Sequence, residues 1–207
     1  MRSGGAVVTG RAASIAARDV EPDRPPLAGL TGRQLTDTFG RLFDAHARDL
    51  HRYLTARIGT TVADDLVAET FLTALRVRGS YDPAHATVRA WLFGIATNLL
   101  RHHLRAEQYG LRALARLAPA ATPAEDHADR AADRVDAAIS VRRLSAAVAD
   151  LPAGDRDVLL LTSWANLTPA EVAAALGIPA GTVRSRLHRV RRGLRARTAA
   201  DRTGEAR

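Results

Sequence analysis

The sequence predicts an all-α protein of two small helical domains joined by a flexible linker, the second domain carrying a helix-turn-helix. Three observations predict it. Apolar residues recur at helical spacing in successive segments, with no alternating strand pattern, internal repeat or glycine-rich phosphate loop. An Ala-, Pro- and Asp-rich stretch from Ala118 to Asp133 has the composition of an interdomain linker. Near the carboxyl end, a capped short helix, a glycine turn and an arginine-rich helix follow one another in helix-turn-helix order. The expected layout is a disordered leader over 1–30, a helical domain over 31–108, a linker over 109–133, a second helical domain over 134–198 and a tail over 199–207.

Each element has its own signal. Residues 1–30 are rich in Gly, Ala, Arg and Pro without helical periodicity, and Pro25 with Pro26 would break a helix there. From Gln34 to Ile58, Leu35, Phe39, Leu42, Phe43, Leu50, Tyr53 and Leu54 mark an amphipathic helix with a kink expected near Gly40 and a stop at Gly59. Val62 to Leu75 reads as a second helix, with Leu66, Val67, Thr70, Phe71, Ala74 and Leu75 on one face. Its acids Asp64, Asp65 and Glu69 gather toward the amino end and outer face, where they complement the helix dipole. A polar loop over Gly79 to Ala86 precedes a third helix from Thr87 to about Arg105, and after about Gln108 a helical extension fades into the stretch from Ala118 to Asp133. Periodicity resumes from Val135 to Ala149, Leu151-Pro152 turns the chain, and Asp157 to Ala165 is an apolar helix.

Thr168, Pro169 and Glu171 then form a capping box with proline at the first helical position. Val172, Ala173 and Leu176 give that helix an apolar face, Gly177 ends it and Pro179 suits the start of the next. In the last helix Val183, Leu187, Val190 and Leu194 lie on one stripe facing the core, which leaves Thr182, Arg184, Ser185, Arg186, His188 and Arg189 facing outward. An arginine fork bonds a guanine edge or a phosphate bidentately, and the amino end of such a helix enters the major groove. These six residues are the candidate duplex-reading set.

Composition narrows the partners. The 207 residues are 46% hydrophobic, enough for a core in each of two lobes, and the net charge of +8 favours an anionic partner. Lysine is absent, so every one of these cations is an arginine, a bias that a GC-rich coding sequence also produces. Clustering is the stronger signal: seven arginines and no acid occupy the fourteen positions from Arg184 to Arg197. The absence of cysteine excludes disulfides, thiolate zinc sites and thiol redox sensing by this chain. Seven histidines show no ligand spacing, so neither a metal nor another cofactor is expected. No apolar run approaches the roughly 20 residues that span a bilayer, and no signal-peptide core is visible. The expected location is cytoplasmic.

The order of segments resembles a bacterial RNA polymerase sigma factor of the extracytoplasmic-function (ECF) group of the sigma-70 family, which keeps only regions 2 and 4. Three blocks carry the resemblance: Asp64-Asp65-Leu66-Val67-Ala68-Glu69-Thr70-Phe71-Leu72, Trp91-Leu92-Phe93-Gly94-Ile95-Ala96-Thr97-Asn98-Leu99-Leu100, and Leu151-Pro152 through Gly181-Thr182-Val183-Arg184-Ser185-Arg186-Leu187-His188-Arg189. Together they cover about Phe39 to Arg197. The first is similar to the family stretch that docks on the polymerase clamp helices, the second to the helix that handles the promoter minus-ten element, and the third to region 4 with its minus-thirty-five reader. Ala68 stands where the family often has glutamine, Thr97 where arginine is usual and His102 where aspartate is common.

The resemblance implies a sigma factor that binds core RNA polymerase at the clamp helices and flap, directs promoter-specific initiation and helps melt DNA, with no catalytic residues. It implies polymerase contacts at Asp64, Asp65, Leu66, Glu69, Phe71 and Leu72, where acids rim an apolar patch as an interface needs. It places minus-ten contacts to single-stranded DNA at Tyr81, Asn98, Arg101, His102 and Arg105, where unstacked bases call for a pocket beside a basic, aromatic surface. Trp91, at helical spacing with Leu92 and Ile95, reads as core. An anti-sigma factor that masks these surfaces is a further implied partner. The rival reading is a stand-alone helix-turn-helix regulator that binds an operator as a dimer. An enzyme of nucleic acid is the weakest reading, since no carboxylate or histidine cluster has metal or acid-base spacing.

Overall fold

The computed structural model describes the backbone of residues 24–117 and 145–204 and the side chains of residues 24–109 and 145–197. Among the described residues the fold is all helical: α1 (Gly32–Ile58), α2 (Thr60–Arg76), a short 3-10 turn (Arg78–Ser80), α3 (Val88–Leu117), a helical stretch at 145–149, α4 (Ala153–Ser163), α5 (Pro169–Leu176) and α6 (Ala180–Gly204). Of the expected linker over 109–133, residues 109–117 belong to α3, while residues 118–133 and the first residues of the helix expected from Val135 lie outside the described residues.

The first lobe is α1 to α3. Gly59, at φ 84°, turns the chain sharply between α1 and α2, a conformation that costs a residue with a Cβ more than it costs glycine. Leu50, Tyr53 and Leu54 of α1, Ala63 and Ala74 of α2, and Val88, Leu92, Phe93 and Leu100 of α3 are fully enclosed between the three helices. Each such large apolar side chain contributes about 1.5–3 kcal/mol by leaving water. The second lobe packs α4, α5 and α6 around Val158, Leu161, Leu167, Val172 and Val183.

The two lobes meet directly, with α5 lying on α3. Gly94 marks a close backbone approach: a Cβ built there would stand 2.5 Å from Ala175 O. Polar links flank it. Thr87 Oγ1 donates to Glu171 Oε1 at 3.2 Å, and Arg89 Nη2 donates to Ala165 O. The deepest link is Asp157 of α4, 1% exposed, which takes Arg57 Nη1 at 2.7 Å on one oxygen and Arg101 at 2.7 Å on the other.

Four expectations about the elements change. The leader was expected to run to Leu30, but Leu27 is buried in the first lobe and Leu30 packs against the core. Composition hid this, because single leucines among Pro and Gly show no periodicity. α1 runs unbroken through Gly40, the expected kink site. α3 continues to Leu117, because Ala106 to Leu117 is made mostly of strong helix formers and one glycine does not stop it. α4 begins at Ala153, four residues before the first expected position, with Asp155 in its first turn beside the helix dipole.

Candidate nucleic-acid interface

The helix-turn-helix is held by local chemistry. Thr168 Oγ1 accepts the Glu171 amide at 3.3 Å, while Glu171 Oε2 accepts the Thr168 amide at 2.8 Å, so both arms of the capping box are closed. Burial pushes the Glu171 carboxyl toward neutrality, but the Thr168 amide and hydroxyl, Thr87 and Arg89 outweigh it and hold its pKa below the usual glutamate range. Gly177 closes α5 at φ 63°, and the Ile178 amide reaches back to Ala173 O at 3.1 Å. Asn166, with φ 51°, makes the preceding turn, a left-handed place that asparagine tolerates better than most residues.

On this frame α6 buries Val183, Leu187 and Val190 and turns Arg184, Ser185, His188 and Arg189 to solvent. Thr182 is half-buried, and its carbonyl accepts the Ser185 hydroxyl at 3.0 Å. Arg186 and Arg189 are engaged at home. Both point to Asp155 in the first turn of α4, Arg189 with Nε and Nη2 each at 2.9 Å and Arg186 with Nε at 3.7 Å. The bonds to Asp155 raise the Arg189 pKa above its ordinary value. Arg184 and His188 instead line a groove of about 610 Å³ with Thr162, Pro169, Leu187, Arg191, Arg192 and Arg195. The last three extend the basic surface beyond the expected set. Their signal was present in the sequence, since 184, 188, 191 and 195 follow the helical repeat.

The expected polymerase surface on α2 is only partly at the surface. Asp64, Asp65 and Leu72 are exposed, Asp64 pairing with His51 Nε2 at 3.0 Å, and Glu69 accepts Arg76 Nη2 at 2.7 Å. Leu66 and Phe71 belong to the buried core and are corrected out of the contact set. Phe71 packs on Phe43 of α1, and Leu66 lies with it in the core cluster that also holds residues of α1 and α3. Phe43 of α1 stands half-exposed, its ring 5.0 Å from Phe71, and Leu72 is 52% exposed. Phe43 lies on the apolar stripe that marks α1 and is not among the expected contacts.

The expected minus-ten set also divides. Asn98, His102 and Arg105 are exposed on α3. Tyr81 is buried, its ring 5.1 Å from Trp91 and its hydroxyl donating to Ala86 O, so it closes the loop rather than offering a face for a base. Arg101 is held by Asp157 of the other lobe. Thr97, where the family usually has arginine, is fully buried and donates to Phe93 O at 2.7 Å while taking the Tyr53 hydroxyl at 3.0 Å. That departure therefore lies in the core, away from the exposed residues of α3. Arg57 completes the chain by donating to Tyr53 Oη at 2.9 Å. Burial alone would strip charge from Arg57, but Tyr53 and Asp157 overcompensate and its pKa lies above the ordinary value.

Among the described residues no group of three or more His, Cys, Asp or Glu side chains converges as a metal would require, and no helix is long and apolar enough to cross a membrane. Residues 42–109 match the Sigma-70 region 2 family, and residues 142–194 match the family Sigma-70, region 4. Among relatives, the probable RNA polymerase sigma-C factor of Mycobacterium bovis is 34% identical over 155 residues, covering 73% of this chain and 78% of that protein. The ECF RNA polymerase sigma factor SigL of Mycobacterium tuberculosis is 32% identical over 155 residues, covering 74% and 85%. Among solved structures, CnrH in complex with the cytosolic domain of CnrY superposes with a TM-score of 0.60 at 26% identity, covering 87% of this chain and 99% of that one.

Proposed function

The chain belongs to the ECF group of the sigma-70 family, and from that membership we propose that it is a dissociable sigma subunit. It binds core RNA polymerase through the exposed patch of α2, reads the minus-thirty-five element with α6, and helps open the minus-ten element by holding unstacked bases along α3. It supplies no catalytic chemistry of its own. The observation that carries this reading is the capped, glycine-terminated α5 that sets α6 with Arg184, Ser185 and His188 facing solvent. In that pose the amino end of α6 is free to enter a major groove.

The α2 patch supports the polymerase half of the proposal. Leu72 of α2 and Phe43 of α1 are exposed large apolar side chains, and Asp64 and Asp65 of α2 are exposed acids, the residue types from which an interface with a few anchors is built. The second lobe would then meet the polymerase flap. Arg101 contributes to minus-ten contacts only when the lobes part, since its guanidinium is committed to Asp157. An anti-sigma partner that masks these surfaces is part of the proposal, and the solved relative CnrH is bound to another protein, the cytosolic domain of CnrY.

The test is equilibrium binding of the labelled full chain to bacterial core RNA polymerase, beside an Asp65→Arg, Leu72→Glu double variant. Both positions are exposed, so the variant keeps the fold. Tight binding by the parent chain that the variant loses is expected. A folded parent chain that does not bind core polymerase would overturn the reading and turn attention to a stand-alone operator-binding regulator, for which a stable dimer would then be sought.

A further inference from the structure

The arginines of α6 differ in what surrounds them. Arg184, Arg191 and Arg192 are exposed and make no ion pair among the described residues. Arg189 and Arg186 converge on one carboxylate. Asp155 has 7% of its side chain exposed, against 63% for Arg189 and 29% for Arg186. That asymmetry decides where the arginines stay. A carboxylate enclosed in protein is costly without a cation beside it, whereas an exposed guanidinium gains little by exchanging one anion for another in water. If Arg189 swung out to a DNA phosphate, it would leave Asp155 with Arg186 alone, at 3.7 Å.

A second feature marks the same place. Gly154 occupies the first turn of α4, and a Cβ there would stand 2.5 Å from Arg186 Nη1. The glycine is what leaves room for that guanidinium. Asp155 also lies three residues after Pro152, in the first turn of the helix, so it meets two arginines where the helix dipole alone would repel them.

We propose that Asp155 is a specificity-determining residue: it clamps Arg186 and Arg189 against the first turn of α4, withholds them from sequence-independent phosphate contacts, and leaves Arg184, Ser185 and His188 to decide which duplex is bound. The proposal deepens the reading of α6 as a DNA-reading helix and rests on it. A guanidinium freed on a flexible stem finds a phosphate in any register. A base-reading register has its own fixed phosphate set, so freed arginines help wrong duplexes more than the right one.

The test titrates the full chain against two labelled duplexes across monovalent salt. One duplex is selected from a random pool by the parent chain, and the other is a scrambled version of it. Asp155→Asn is expected to steepen the log–log salt slope on the scrambled duplex by about 1 to 2, and to shrink the preference for the selected duplex several-fold. Adding Arg189→Ala to that variant should take much of the gained slope away. Gly154→Ala guards against a folding failure, because the atoms nearest its methyl are the mobile end of Arg186, and the Asp155–Arg189 pair stays in place. It should steepen the slope by about 1 with no fall in thermal midpoint. Slopes for Asp155→Asn and Gly154→Ala equal to the parent's would overturn the clamp and leave Asp155 as a support for the fold. A parent chain with no preference between the duplexes would count against the reading of α6, yet the scrambled duplex would still decide the clamp.

Discussion

Arg101 of α3 places Nε 2.7 Å from Oδ2 of Asp157 on α4, so a residue of the expected minus-ten surface is held by the opposite lobe. Arg57, 5% exposed, takes the other oxygen of the same carboxylate. Removing one partner of a buried pair leaves the other charge stranded, at a cost of about 3–5 kcal/mol, unless the lobes separate and let water reach Arg57. Asp157→Ala is therefore expected either to lower stability by that amount or to open the molecule. Denaturant unfolding together with small-angle scattering checks both routes. An unchanged midpoint with an unchanged radius of gyration would refute the structural role of the pair.

Gly94 separates lobe contact from lobe stability. A methyl there meets Ala175 O, a backbone atom of α5 that cannot rotate away, while α3 itself gains from losing a helical glycine, by about 1 kcal/mol. Gly94→Ala should therefore push the lobes apart without weakening the first one. Hydrogen exchange would show faster exchange confined to the contact between α3 and α5, with the amides facing Leu50 and Tyr53 still protected. Loss of protection across the whole first lobe would contradict this.

What the sequence disclosed and what it hid divide by sequence distance. The capping box joins Thr168 to Glu171, three residues apart, and Gly177 needs only its own left-handed backbone, so both were legible. The core stripe of α6 followed from helical spacing. Asp155 and Asp157 gave no signal, because their partners are 34, 56 and 100 residues away and an acid in a helix's first turn reads as an ordinary dipole partner. Aromatic orientation was equally hidden. Tyr81 lies in a polar loop yet turns inward onto Trp91, while Phe43 lies on an apolar stripe yet stands half outside it. Amphipathic spacing locates a buried stripe, but it does not tell which edge residue another helix will cover.

The two kinds of arginine on α6 predict two kinds of loss. Arg184 faces solvent at the amino end of the helix, where a base edge is in reach, and Arg192 lies two turns further on. Arg184→Ala should cost about 1–3 kcal/mol, concentrated at particular base pairs of the preferred site. Arg192→Ala should weaken all duplexes alike and lower the salt slope by about 1. Binding to a panel of single-substitution duplexes at several salt concentrations distinguishes them. Uniform loss from Arg184→Ala would reassign it to phosphate contact.

Glu171 ties the recognition frame to pH. Its carboxylate accepts the Thr168 amide and hydroxyl on Oε2 and Thr87 of the other lobe on Oε1, and these bonds hold its pKa below the ordinary glutamate range despite partial burial. A depressed folded-state pKa means that the unfolded chain binds the proton more readily. The stabilisation is then fully present above the ordinary glutamate value, about 4.3, and is lost as pH falls through the lower folded value. Glu171→Gln should accordingly be less stable than the parent chain at neutral pH, with the gap closing in acid. Thr168→Ala removes the reciprocal bond and should cost about 0.5–2 kcal/mol, with a shallower acid limb because Glu171 loses the hydroxyl that favours its charge. Thermal melts of the three chains between neutral and acidic pH check the sign. A Glu171→Gln deficit that stayed constant or widened toward low pH would show that the carboxylate gains nothing from its charge in the folded state.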